Sequence, residues 1–260
     1  MTKLSVSNIA WSSDEDEYMY DYLAKNGYCG IEIAPTRLYP INPYIHLVEA
    51  NQFRKRIYKY HSLRISSIQS IWYGREENFF ENEYSKNILV DYTKQAIDFA
   101  NALYCKNIVF GCPRNRFRNN RSINNALSFF SEVARYAELK ETIISIEANP
   151  KIYNTDFINY TQEAFEFIKI IDLPGLRVNL DVGTIIENSE DLSLIENNFN
   201  LVNHIHISEP FLKPLKERKI HRDIKRIISR CNYNGYVSLE MGKYDDRLFD
   251  TLAYFEETFS

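Results

Sequence analysis

The chain has 260 residues, of which 45% are hydrophobic, and its formal net charge is −4. This length supports one large hydrophobic core, and no stretch approaches the roughly 20 apolar residues of a membrane span. The acidic balance gives no overall attraction to nucleic acid. The four cysteines form no CxxC pair, so we expect neither a disulfide framework nor a cysteine-rich zinc site. We therefore expect a soluble cytoplasmic protein that binds neither nucleic acid nor membrane, and the sequence leaves homo-oligomer formation open.

Short apolar or β-branched runs recur along the chain and predict buried strands. The eight runs span residues 4–9, 28–34, 64–71, 107–112, 142–148, 176–182, 202–208 and 236–241. Helical periodicity occupies the intervals, including residues 15–26, 87–103, 123–140, 161–171 and 222–231. Strands that alternate with helices indicate βαβ units and a parallel sheet. Because the strands are too apolar for a solvated face, the sequence favours a single-domain α/β fold, a (β/α)8 TIM barrel over residues 1–260.

The least regular interval covers residues 35–61. Pro40 and Pro43 predict a long loop there, followed by a helix at about residues 44–60. This interval leaves an open doubly wound sheet as the alternative architecture. In a barrel, the active site lies at the carboxyl ends of the strands, so functional residues are expected at that edge.

Four polar residues close the last four predicted strands, and they lie about one strand–helix unit apart: Glu147, Asp181, His206 and Glu240. A carboxylate at the end of an apolar strand is costly to desolvate unless a cation or hydrogen bonds compensate it. Alone, such a residue is more often a helix cap or a loop contact. Together, the carboxylates and the imidazole predict one divalent-metal site that suits Mn²⁺, which we favour, or Mg²⁺, Co²⁺, Fe²⁺ or Zn²⁺.

The seventh strand carries a second histidine. His204 and His206 are two positions apart, so their side chains share one face of the strand. We predict that His206 is the ligand nearer the mouth and that His204 lies one layer deeper, as a supporting residue grouped with the substrate contacts.

Two loops at the predicted mouth are rich in basic residues. The loop after the fourth strand supplies Arg114 and Arg116, and the loop after the seventh contains Glu209 and leads to His221. Guanidinium groups bind phosphate or carboxylate in bidentate fashion, so these loops favour an anionic sugar phosphate, nucleotide sugar or sugar acid. The alternative is two ordinary solvated loops. Gln69, polar within an apolar run, is a further candidate for contact with sugar hydroxyls.

The motifs, taken in order, resemble the xylose-isomerase-like sugar phosphate isomerase/epimerase superfamily over nearly the whole chain. They are SNIAW, GIEIAP, IEANP, LDVG, HIHISEP and SLEMG. Within that superfamily, GIEIAPTRLYP, FGCPRNR and HIHISEP look most like members associated with bacterial surface-polysaccharide gene clusters.

This resemblance implies that the four strand-end residues hold a divalent cation. It also implies that Glu147 and Glu240 act as an acid/base pair on opposite faces of a sugar. One would abstract a proton and the other would return one, through an enediolate that the metal stabilises. The expected activity is that of a metal-dependent sugar isomerase or epimerase.

The chain departs from the ketose epimerases of this superfamily at two positions. Thr184 stands where they usually carry a histidine, and Leu212 stands where they tend to carry an arginine. Thr184 is a candidate for hydrogen bonding to the substrate. The alternatives are a metal-dependent sugar dehydratase, a non-catalytic sugar-binding barrel, and an abasic-site DNA endonuclease, which the acidic balance and the five histidines disfavour.

Overall fold

The strands close into a barrel. The computed structural model describes residues 2–244 and 246–260. Each strand runs parallel to the next along the chain, and β1 also pairs with β8. The strands are β1 Lys3–Ser7, β2 Gly30–Ile33, β3 Arg64–Ile68, β4 Ile108–Phe110, β5 Ile144–Glu147, β6 Leu176–Asp181, β7 Val202–Ile207 and β8 Tyr236–Leu239. Closure excludes the open doubly wound sheet, and the predicted (β/α)8 barrel is confirmed.

The helices form the outer layer, as the periodicity predicted. They are α1 Asp16–Lys25, α2 Pro35–Leu38, α3 Leu47–His61, α4 Glu83–Ala102, α5 Asn124–Leu139, α6 Thr161–Ile171, α7 Val182–Asn188, α8 Leu192–Asn197, α9 Lys219–Arg230 and α10 Leu248–Phe259. Most strands end before the apolar runs do, because the last residues of each run leave the hydrogen-bonded ladder and form the mouth. Across residues 2–244 and 246–260, no helix combines the length and hydrophobicity required to cross a bilayer.

The irregular interval between β2 and β3 contains two short helical turns. α2 begins at Pro35, and a 3₁₀ turn begins at Pro43, before α3 starts at Leu47. Proline suits the first position of a helix because that position needs no N–H donor. The predicted loop followed by a helix is therefore present, with α2 added at its start.

An aromatic cluster fills the layer between β4 and the helices α4 and α5. The ring centroids of Trp72 and Phe110 are 4.7 Å apart, and those of Phe110 and Phe130 are 4.8 Å apart. Phe79 stacks on Phe129 at 5.2 Å. Buried aromatic pairs of this kind add roughly 0.5–1.5 kcal/mol each beyond their hydrophobic burial. They give the loops that follow β3 and β4 a rigid base.

The barrel interior is polar towards the amino ends of the strands. Ser5 and Ser66 face each other with their hydroxyl oxygens 2.6 Å apart. Asn107 donates to Ser67 at 2.9 Å and accepts from Ser145 at 2.5 Å. Barrel interiors are usually filled by bulky Val, Ile and Leu side chains. Small polar side chains fill less space, which leaves room at this end of the barrel.

Candidate metal centre and active site

The four predicted ligands converge at the carboxyl ends of neighbouring strands. Glu147 ends β5, Asp181 ends β6, His206 lies near the end of β7 and Glu240 directly follows β8. The parallel register sets Asp181 opposite His206. One ligand atom from each residue lies within 4.8 Å of the others. The structure thus brings the four side chains together at the edge that the sequence indicated.

His206 lies between carboxylates on both sides. Its Nδ1 atom is 3.1 Å from Oε2 of Glu147 and 3.1 Å from Oε2 of Glu240. Its Nε2 atom is 2.9 Å from Oε2 of Glu32 on β2. When Nε2–H donates to Glu32, Nδ1 is left free to act as a ligand. A carboxylate behind an imidazole commonly orients metal-binding histidines in this way.

Glu32 lies behind the two histidines of β7, a contact that the sequence did not assign to it. Its side chain is fully buried, and it also lies 3.2 Å from Nε2 of His204. Burial alone would raise the pKa of Glu32, but the facing His206 and His204 outweigh burial and lower it. The signal in the sequence was a carboxylate inside the apolar run of β2. Glu32, His204 and His206 also lie close enough to group around a cation. In that arrangement the Nε2 atom of His206 would bind the cation and could no longer donate a hydrogen bond to Glu32.

Asp181 is held by the first turn of α7. Its Oδ2 atom accepts the backbone N–H of Thr184 at 2.7 Å and lies 2.8 Å from the Thr184 hydroxyl. Ser208 donates to its other oxygen. The Thr184 hydroxyl also lies 2.8 Å from the Ala148 carbonyl. Thr184 is 1% exposed and orients Asp181. It is absent from the walls of the cavity described below, and its predicted substrate contact stays a prediction.

Two asparagines that the sequence analysis passed over fix the Glu147 carboxylate. Asn149 donates to Oε1 at 2.9 Å, and Asn179 donates to Oε2 at 2.7 Å. Within the described residues, the amide oxygens of both asparagines are buried without a hydrogen-bond partner. The Glu147 carboxylate therefore has a fixed orientation, with unused acceptor atoms close by.

The acidic groups perturb one another strongly. Burial raises the pKa of Glu240 to about 7, even beside His206. Burial and the charge on Glu147 raise the pKa of Asp181 to about 6. Burial opposes protonation of His206, but the facing Glu32 and Glu240 hold its pKa well above its usual range. The cluster therefore concentrates more negative charge than one imidazolium compensates. Its oxygen and nitrogen donors fit a divalent cation.

A cavity of about 240 Å³ opens over this cluster. Three of its wall residues, Ser70, Cys112 and Leu212, have positive φ angles of 54°, 44° and 52°. Non-glycine residues rarely adopt this conformation, and such strain concentrates at functional sites. Tyr153 also lines the wall, where its hydroxyl accepts the backbone N–H of Phe211 at 2.8 Å.

Gln69 and Glu209, two of the predicted substrate-binding residues, line this cavity. Gln69 donates to Ser7 at 2.7 Å. Glu209 is 3% exposed and accepts two hydrogen bonds from Arg218, at 2.6 and 2.7 Å, which compensate its charge. Contact between these two residues and a substrate stays a prediction.

The two predicted arginines do not line the cavity. The Arg114 side chain is 73% exposed and lies 3.5 Å from Glu76. Arg116 is fully buried, and its guanidinium donates to the carbonyls of Glu147 and Ile158 at 2.9 and 3.3 Å. The anion contacts predicted for the two arginines stay predictions. A loop's place after a strand does not fix the direction of its side chains, and here buried carbonyls take up the Arg116 donors.

The two further histidines also lie away from the cavity. His221 is buried on α9, where its Nδ1 atom is 2.9 Å from the Tyr254 hydroxyl of α10. His204 is 1% exposed, and its Nε2 atom lies 3.2 Å from the Ser238 hydroxyl. His204 lies deeper in the barrel than His206. The supporting role predicted for His204 and the substrate contacts predicted for both histidines stay predictions.

Comparison with known proteins agrees with this architecture. Residues 20–258 match the family described as xylose isomerase-like TIM barrel. The chain belongs to this family. No curated protein matches the sequence of this xylose isomerase-like barrel.

Solved structures with the same fold include three that align over almost the whole chain. A D-psicose 3-epimerase with D-tagatose from Clostridium cellulolyticum H10 has a TM-score of 0.80 at 15% identity, with 100% of both chains covered. An AP endonuclease of family 2 from Brucella melitensis has a TM-score of 0.78 at 18% identity, again with 100% of both covered. The apo 3-keto-D-glucoside 4-epimerase from E. coli has a TM-score of 0.76 at 18% identity, with 99% of this chain and 100% of that chain covered. At these identities the likeness establishes the fold alone.

Proposed function

We propose that this xylose isomerase-like barrel is a divalent-metal-dependent sugar isomerase or epimerase, with Glu147 and Glu240 as its acid/base pair. The observation that carries the proposal is the position of these two carboxylates. They come from β5 and β8, both approach the same nitrogen of His206 to 3.1 Å, and both line one small cavity. Two carboxylates so placed can exchange protons with one substrate. The epimerases among the solved structures of this fold are consistent with the proposal.

The proposed metal ligands are Glu147, Asp181, His206 and Glu240. When bound, a divalent cation supplies positive charge that polarises a substrate carbonyl and acidifies the adjacent C–H bond. The mixed oxygen and nitrogen donors favour Mn²⁺. Glu32 fixes the ring of His206, while Thr184 and Ser208 fix the carboxylate of Asp181.

The proton transfers fall to the two glutamates. One accepts the proton from the carbon next to the carbonyl, and the other returns a proton. Return to the opposite face of the same carbon inverts that centre, whereas return to the neighbouring carbon moves the carbonyl. Asn149 and Asn179 hold Glu147 in one orientation, so the reacting oxygen needs no reorganisation during the step.

The charges around the cavity favour a neutral sugar over an anionic one. Among the described residues, the charged groups that line the cavity are all acidic: Glu147, Asp181, Glu209 and Glu240. Even with a divalent cation bound, these four carboxylates would leave no surplus positive charge to attract a phosphate or carboxylate group of the substrate. The volume of about 240 Å³ lies below the roughly 300–1,000 Å³ of pockets for drug-sized ligands, which suits a monosaccharide. We therefore propose a neutral monosaccharide or a similarly sized neutral derivative.

Solvent exchange tests the activity directly. Mn²⁺-loaded protein in D₂O should introduce deuterium into a member of a panel of free ketoses, aldoses and ketosugar derivatives, with the substrate mass otherwise retained. Glu147→Gln and Glu240→Gln should each abolish exchange, whereas Glu217→Gln, which removes an exposed carboxylate outside the cavity, should retain it. The corresponding sugar phosphates are tested beside the neutral sugars, and exchange confined to the phosphates would overturn the neutral substrate. A product lighter than the substrate by one water molecule would indicate a dehydratase.

Metal content separates the remaining alternatives. Elemental mass spectrometry should find a near-stoichiometric divalent metal in the wild type that is lost in His206→Ala. Stoichiometric metal without any exchange would favour a sugar-binding barrel, and nicking of abasic DNA would favour the endonuclease. A cytoplasmic location and homo-oligomer formation stay predictions.

A further inference from the structure

A second, larger cavity lies at the opposite end of the barrel from the metal centre. Its volume is about 530 Å³, within the roughly 300–1,000 Å³ typical of small-molecule sites. The amino ends of β1, β3, β7 and β8 surround it, together with α3 and the segment that precedes β4. The small polar side chains of the barrel interior leave this space open.

Four cations line this basal cavity, and within the described residues no aspartate or glutamate does: Lys3, Arg54, Arg64 and Lys106. Lys106 is paired with Glu141 at 3.0 Å. Lys3, Arg54 and Arg64 have no ion-pair partner within the described part of the chain. In a chain of net charge −4, three uncompensated cations around one concave surface are a local reversal of sign. Such a surface attracts anions.

Tyrosine rings hold these cations in place. Arg54 lies 4.0 Å from the ring centroid of Tyr104, and Arg64 lies 5.1 Å from that of Tyr58. Lys3 lies 5.7 Å from the ring centroid of Tyr236. A cation on a neutral ring keeps its full charge while its side-chain freedom is reduced.

Unused hydrogen-bonding capacity accompanies this charge. Arg54 donates to Asn51 at 2.8 Å, but its Nε atom is buried without a partner among the described residues. Asn203, on the cavity wall, donates to the buried Asn107 at 2.6 Å. The cavity therefore combines a fixed polar wall with fixed cations. Phosphate, with its several acceptor oxygens, matches this combination.

We propose that the basal cavity binds the phosphate group of a small phosphorylated molecule, with Lys3, Arg54 and Arg64 as its counter-ions. The aromatic rings and the volume fit a ligand of the size of a nucleoside monophosphate. Because the cavity and the metal centre lie at opposite ends of the barrel, this binding is independent of the sugar chemistry proposed above. His204 lines the basal cavity and also contacts Glu32, so it separates the two sites.

Calorimetric titration of the full-length, metal-loaded protein tests the proposal. The probes are AMP and inorganic phosphate, with adenosine as the uncharged comparison. AMP or phosphate should bind saturably with a Kd below about 1 mM. Arg54→Gln/Arg64→Gln should weaken that binding roughly tenfold or more, since it removes two charge-assisted contacts. The matched control is Lys55→Gln/Lys59→Gln, which removes two exposed charges from α3 outside the cavity.

Two further variants keep the test decisive. Lys3→Gln removes one cavity cation at the chain surface, and it should weaken binding even where the double variant is too unstable to assay. Asp181→Asn, at the opposite end of the barrel, should leave binding unchanged. Absence of saturable binding, equal affinity in the cavity and control variants, or loss of binding in Asp181→Asn would each overturn the proposal.

Discussion

The Nδ1 atom of His206 lies 3.1 Å from Oε2 of Glu240. At this distance an Nδ1–H group donates a hydrogen bond to the carboxylate. Its proton occupies the position that a metal ion would take. A metal must therefore displace that proton, since only the neutral imidazole can be a ligand. The proposed metal site and the protonation of these two residues are thus in direct competition.

Stability without metal should depend on pH in a defined direction. The pKa of Glu240 is raised to about 7, the pKa of Asp181 to about 6, and that of His206 well above its usual range. All three hold protons more tightly in the folded chain than in the unfolded chain. The free energy of unfolding of EDTA-treated protein should therefore fall as pH rises from about 5 to 8. The fall should be steepest above about pH 6.5, because burial lowers the pKa values of His204 and His221, and these two groups oppose the trend below that pH. Urea denaturation at several pH values measures this.

Excess Mn²⁺ should reverse that trend, because ligand deprotonation strengthens metal binding. The comparison variant is Asp181→Asn, which removes one of the titrating groups and should flatten the slope of the metal-free protein. A free energy of unfolding that rises between pH 5 and 8 without metal would show that the cluster is not protonated as described.

Glu32→Gln should lower metal affinity by about 10- to 100-fold, as expected when the carboxylate behind a ligand histidine is removed. The glutamine preserves the shape of the side chain but removes the charge that lies 2.9 Å from Nε2 of His206. Competition with a fluorescent chelator measures the affinity. Glu209→Gln is the matched control, because it neutralises another buried glutamate that pairs with Arg218. Equal losses of metal affinity in both variants would mean that neutralising any buried glutamate weakens metal binding, and not that Glu32 has a specific role.

Thr184→Val should weaken metal binding about three- to tenfold, because Asp181 loses one hydroxyl contact of about 1 kcal/mol. The backbone N–H of residue 184 still donates to Asp181, so binding should persist. Thr184→Ser restores the hydroxyl and should recover wild-type affinity. If substrate affinity changed in Thr184→Val while metal affinity did not, the predicted direct contact between Thr184 and the substrate would be supported.

Arg116→Met should destabilise the fold by about 2–4 kcal/mol, because two buried carbonyls lose a charged donor. Arg114→Met, two residues away, removes an exposed side chain and should change the free energy of unfolding by less than about 0.5 kcal/mol. Chemical denaturation of both variants measures the contrast. If both variants were as stable as the wild type and both lost substrate affinity to the same extent, the anion-binding role predicted for the two arginines would be supported.

Local periodicity favoured the barrel over the open doubly wound sheet. Eight apolar runs alternating with helical segments admit few architectures, and the apolar character on both faces of each strand favours closure. The same reasoning located Glu147 and Asp181, since the carboxyl ends of parallel strands meet at one edge. Short boundary differences arose where the chain leaves the ladder to form the mouth.

Side-chain direction and long-range pairing were decided by the tertiary structure alone. Glu32 and His206 are far apart in sequence, and only barrel closure places their atoms 2.9 Å apart. Arg116 turns inward because two buried carbonyls need a donor, and nothing in its neighbouring residues shows that need. The sequence by itself determined the strand pattern and the chemical types of the proposed ligands. The charge balance of the two cavities depends on three-dimensional neighbours, because each charge responds to everything within a few ångströms of it.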